Sequence, residues 1–108
     1  MKSARLHDRR DIRFENVDMA PVPGPNEVRV KVAYAGICGS DIHNFKTGQW
    51  ITRKPSIAGH EFSGSIESIG DDVRTFKVGD HIVADSRFYC GECENCKSKY
   101  QHLCNKLG

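Results

Sequence analysis

The sequence predicts a mainly β domain of barrel or sandwich type, on three observations. Short stretches in which apolar and polar residues alternate recur along the chain, turn-forming glycine and proline separate them, and only one stretch has the character of a short helix. The length agrees, since 108 residues with 38% hydrophobic composition suit one domain with a modest core.

Taken in order, "MKSARLH" is read as an opening strand, and "DIRFENV" as a second that carries Ile12 and Phe14 on one face. The prolines and glycine of "PVPGPNE" mark a connector. In "EVRVKVAYAG", Val28, Val30, Val32 and Tyr34 alternate with Arg29, Lys31 and Ala33, so the first set is expected to face the core. "SDIHNFKTG" is the helix candidate, with Ser40 expected to cap its start and Gly48 its end. "EFSGSIESIG" and "DHIVAD" read as further strands, linked through a turn at Gly79 and Asp80. No internal repeat or low-complexity tract interrupts this order. The sequence stops soon after its last cysteine with no closing strand or helix, as expected of part of a longer protein.

Composition narrows the function classes. No apolar run approaches a membrane span, and "MKSARLHDRR" lacks the apolar stretch of a secretory signal, so a cytoplasmic protein is expected. In that reducing compartment five cysteines point to metal or catalysis before disulfides, and an odd count leaves one unpaired in any disulfide scheme. The formal charge is +2, and metal-bound thiolates would bring it closer to zero. An overall basic field for nucleic acid is therefore nearly absent, and neither nucleic acid nor membrane is expected as a partner.

Four cysteines stand in the array "CGECENCKSKYQHLC", residues 90 to 104. Structural zinc takes four soft ligands in a tetrahedron, and Cys90, Cys93, Cys96 and Cys104 can wrap one ion without long chain excursions. An iron–sulfur cluster is the competing use of C-x-x-C-x-x-C; the spacing to the fourth cysteine and the absence of a proline after it count against that use. Four sulfur ligands close the coordination sphere, so this zinc is expected to brace a loop and perform no chemistry. Glu92, Glu94, Lys97 and Lys99 are expected to form the solvated surface around it.

A second set remains: Cys38 in "GICGSDIH", and His60 with Glu61 in "GHEFSG". Sulfur, nitrogen and oxygen ligands with one open position are the pattern of a catalytic zinc. Singly, each residue has a plainer reading: Cys38 as a small buried hydrophobe, His60 as a hydrogen-bonded core histidine, Glu61 as a surface charge at a strand end.

Together, "GICGSDIH", "GHEFSG", "VGDHIVAD" and the cysteine quartet make the chain resemble the medium-chain zinc alcohol dehydrogenases, in the order that family uses and over essentially the whole length. Among these it is most similar to the polyol branch of sorbitol, idonate and threonine dehydrogenases. The resemblance implies a GroES-like β-barrel with short helices and a zinc-binding loop. Residues 1–108 would form the N-terminal part of the catalytic domain and 88–105 the structural zinc loop, without the Rossmann dinucleotide-binding domain. It places Cys38, His60 and Glu61 around a catalytic zinc, with Glu61 either ligating or just behind the metal. Asp41 would orient His60, as a ligating imidazole requires of a partner on its other nitrogen. Ser40 and His43 match positions that some members use to pass the alcohol proton outward, against the plainer readings of helix capping for Ser40 and surface location for His43.

The implied activity is oxidation of a secondary alcohol or polyol with hydride transfer to NAD or NADP. It requires one catalytic and one structural Zn2+, a small alcohol or polyol substrate, and a full-length homo-oligomer, dimer or tetramer. No G-x-G-x-x-G stands between a strand and a helix, so the cofactor site lies outside this chain. The chain alone is expected to hold the structural zinc, bind the catalytic zinc weakly and turn over nothing. Phe45, Trp50 and Ile51 are candidates for either core or pocket wall. The alternatives are a zinc-stabilised β-barrel binding module without catalysis and a metal-free interaction barrel.

Overall fold

The structure, a computed structural model, describes residues 1–107. Among these residues six strands form two three-stranded antiparallel sheets. The first sheet has the order β2 (Asp11–Asn16), β1 (Lys2–Asp8), β4 (Ser56–Ile57), and the second has β3 (Val28–Ala35), β5 (Phe62–Ile69), β6 (His81–Val83). Helix α1 spans Gly39–Thr47 and a short α2 spans Glu94–Lys97, followed by a 3-10 turn at Gln101–Leu103. Among the described residues no helix is long and apolar enough to cross a membrane.

The strands at both ends of the sequence reading are present. β1 and β2 pair over Lys2↔Asn16 to Leu6↔Ile12, across a turn in which Arg10 has φ 60°. Leu6 of β1 and Ile66 of β5 are the most buried apolar side chains, at 3% and 2% exposure. Two-residue β4 carries no sequence signal of its own; it is a strand because Ser56 and Ile57 pair with Leu6 and Arg5.

Strand β3 departs from the simple alternation. Val28 and Val30 are partly covered, whereas Val32 and Tyr34 are exposed, Tyr34 at 79%. The register with β5 shifts between Arg29 and Val30 and again between Val32 and Tyr34. Each irregularity adds twist and re-aims the side chains beyond it, so the period-2 pattern does not mark one continuous buried face.

Helix α1 also begins differently from expectation. Its N-cap is Cys38, in extended conformation, and Ser40 lies inside the first turn. Asp41 explains the earlier start, because its carboxylate accepts the Cys38 backbone N–H at 2.9 Å. That is the reciprocal half of a capping box. Gly48 ends the helix as expected, at φ 69°, donating its N–H to Asn44 O at 2.7 Å. Arg10 N–H donates to Phe45 O, and Leu6, Ile12, Ile42 and Phe45 line one apolar cavity of about 290 Å3, which seats the helix against the first sheet.

Candidate metal centres

The β3–β5 ladder builds the first centre. Its last pair, Ala35↔Phe62, is extended by a bond from Gly36 N–H to Glu61 O at 2.7 Å. The residues just after β3 and just before β5 are thus held side by side, which brings Cys38 to His60 and Glu61 across the 21 residues between Cys38 and His60. One ligand atom from each of the three lies within 4.8 Å of the others. Gly36 makes room for this approach, since a Cβ there would stand 2.9 Å from Glu61 Oε2 and 3.3 Å from Glu61 Cβ.

Asp41 serves both sides of the cluster. While Oδ2 accepts from Cys38 N–H, Oδ1 faces His60 Nδ1 at 3.6 Å. The Cys38 thiol is held below its usual pKa, first by the Ser40 hydroxyl and backbone N–H and then by His60. His60 is raised, chiefly by its hydrogen bond with Cys38 and, against some burial, by the charge of Asp41. Their mutual hydrogen bond shifts both groups toward their charged forms. A mixed sulfur, nitrogen and oxygen donor set of this kind fits zinc with a position left open.

Ser40 lines a polar pocket of about 300 Å3 together with His60 and Trp50. Trp50 is 53% exposed and stacks at 4.9 Å on the ring of His43, whose Nε2 meets Gln49 Oε1 at 3.1 Å. His43 is exposed and not among the residues that line that pocket. Phe45 turns instead into the apolar cavity beneath the helix.

The second centre is local. Cys90, Cys93, Cys96 and Cys104 bring their sulfurs within 4.8 Å of one another. Cys90 Sγ stands 3.6 Å from Cys104 Sγ and 3.9 Å from Cys96 Sγ. A tetrahedron with Zn–S of about 2.3 Å has edges of about 3.8 Å, so the spacing fits a four-sulfur zinc site. Backbone N–H groups of Cys90 and Lys106 donate to Cys104 Sγ, and that of Cys93 to Cys90 Sγ, at 3.3 to 3.4 Å. Such bonds stabilise thiolates. Without metal, the N–H groups of Asn105 and Cys96 bring the Cys93 thiol down to about 6, whereas burial pushes the Cys96 thiol up to about 12.

Two structural contributors carried no sequence signal. Asn95, between the ligands, donates from Nδ2 to Leu103 O at 2.6 Å and to Asn105 Oδ1 at 3.2 Å, closing the loop on itself. Lys106 pairs with Glu92 at 2.6 Å across the same loop.

Comparison with known proteins identifies the family of the domain. The alcohol dehydrogenase GroES-like domain family matches residues 24–108. Sorbitol dehydrogenase of Bacillus subtilis is 43% identical over 109 residues, covering 96% of this chain and 30% of that protein. Galactitol-1-phosphate dehydrogenase from Escherichia coli superposes with a TM-score of 0.89 at 30% identity, over 99% of this chain and 31% of its own. A cobalt- and zinc-bound thermostable alcohol dehydrogenase from Pyrobaculum aerophilum superposes at 0.86, also at 30% identity, over 98% and 32%. The chain thus spans about 30% of the length of these relatives. The chain belongs to the alcohol dehydrogenase GroES-like domain family, that of the zinc-dependent medium-chain dehydrogenases.

Proposed function

We propose that residues 1–108 are the N-terminal part of the catalytic domain of a cytoplasmic, homo-oligomeric zinc dehydrogenase that oxidises a secondary alcohol or polyol. Residues 88–105 are its structural zinc loop. The observation that carries this reading is the contrast between the two clusters: an all-sulfur quartet at tetrahedral spacing, and a mixed Cys38, His60, Glu61 set whose His60 lines a polar pocket.

Cys38, His60 and Glu61 are the donors for a catalytic zinc, and the quartet holds a second, structural zinc. Zinc supplies Lewis acidity to the substrate hydroxyl, and NAD or NADP supplies the hydride acceptor. Asp41 keeps the His60 ring oriented and fixes the first turn of the helix that presents Cys38. Ser40, in the pocket wall beside His60, accepts the hydroxyl proton from the substrate as it hands on its own. His43 stands three residues further along the same helix, the spacing that puts two side chains on one face, and carries the proton to solvent.

The test is steady-state oxidation of secondary alcohols and polyols by the complete, zinc-loaded enzyme with NAD and with NADP. Ser40→Ala is expected to lower kcat by roughly a hundredfold or more with zinc content unchanged. An enzyme that holds both zinc ions yet oxidises no alcohol with either cofactor would defeat the reading.

A further inference from the structure

We propose that Arg53 forms an anion subsite in the polar pocket beside His60, so that the substrate alcohol carries a phosphate or carboxylate group. The pocket, about 300 Å3, is lined by Ser40, His60, Trp50, Arg53 and Ser56 among others. Its size suits a small ligand.

The charges around it are committed except for one. Asp41 is the carboxylate in the wall, and both its oxygens are turned to Cys38 N–H and His60. Lys54, the neighbouring cation, is paired with Asp8 at 2.7 Å. Arg53 makes no ion pair among the described residues. A guanidinium offers a planar fork of donors that matches a phosphate or carboxylate in bidentate fashion, and Ser56 adds a hydroxyl to the lining. Arg53 is exposed and, among the described residues, committed to no carboxylate, so its guanidinium is free to turn to an anionic group on the alcohol while the hydroxyl end reaches Ser40 and His60.

The word substrate here rests on the dehydrogenase reading, but anion binding does not. Trp50, the sole tryptophan of the 108 residues, lines the pocket and reports on it by fluorescence. The chain is titrated with inorganic phosphate and with acetate against chloride at matched ionic strength, in wild type, Arg53→Gln and Arg53→Lys. A saturable change with phosphate identifies a phosphate ester, and one with acetate a carboxylate. Either is expected to weaken about tenfold or more in Arg53→Gln and to recover in part in Arg53→Lys.

No saturable response to either anion, or equal affinity in Arg53→Gln, would overturn the proposal. Phosphate held directly by zinc would give that second result. Arg53-dependent binding in an enzyme that oxidises no alcohol would instead defeat the dehydrogenase reading and leave the subsite standing.

Discussion

Asp41 accepts the backbone N–H of Cys38 at 2.9 Å, and with its other oxygen faces His60 at 3.6 Å. One carboxylate thus fixes the first turn of α1 and faces the ring of His60, which stands just before β5. Asp41→Ala is expected to lower stability by about 1 kcal/mol through the lost cap, and zinc affinity at Cys38 and His60 by roughly tenfold to a hundredfold. Urea unfolding and chelator competition measure the two effects. Asp41→Asn should keep the cap and lose most of the zinc effect. Wild-type zinc affinity in Asp41→Asn would show that the carboxylate charge facing His60 matters little.

The glycines on either side of β3 and β5 make opposite expectations. At Gly36 an added methyl meets the end of the Glu61 side chain, which can swing aside, so Gly36→Ala should cost little stability while weakening zinc at the first centre. At Gly70 it would overlap the backbone oxygens of Gly24 and Pro25, which cannot yield without moving the chain. Gly70→Ala is expected to destabilise the fold by about 3 kcal/mol. Thermal unfolding together with zinc content separates the two variants.

Trp50 stands half-exposed on the polar pocket, while Phe45 faces the apolar cavity under α1. Trp50→Ala should therefore change relative kcat/KM among alcohols with zinc content intact, and Phe45→Ala should lower stability for all of them alike. A uniform loss with reduced stability in Trp50→Ala would place that ring in the core instead.

The quartet holds together a loop whose regular structure amounts to one four-residue helix and a 3-10 turn. Removing its metal is expected to unfold residues 90–104 while the two sheets persist, because little apolar burial other than Cys96 and Cys104 supports the loop. Proteolysis in chelator, read by cleavage position, checks this: cuts confined to the loop agree, and resistance unchanged by chelator does not.

What could be read from sequence follows from range. The quartet was legible because its ligands are neighbours on one loop, and Gly48 because a helix end is a local event. The start of α1 was misplaced by two residues, since Ser40 has the better capping side chain and only the reciprocal bond from Cys38 to Asp41 shows where the helix begins. The exposed Tyr34 escaped the alternation rule because the irregular pairing with β5 lies in a second strand. Cys38 and His60 meet through that same ladder, so the residues alone left the first centre open and the family resemblance supplied it. Arg53 gave no signal, because its pocket is assembled from helix α1 and the stretch 50–60.

The central claim is that the two clusters are two independent zinc sites, and zinc content per chain tests it directly, in wild type, Cys38→Ser and Cys96→Ser. One tightly held zinc is expected to survive Cys38→Ser and to be lost in Cys96→Ser. A second, weaker zinc taken up at excess metal should be lost in Cys38→Ser alone. Zinc near zero in the wild type, or one tight ion abolished by Cys38→Ser and untouched by Cys96→Ser, would contradict the account.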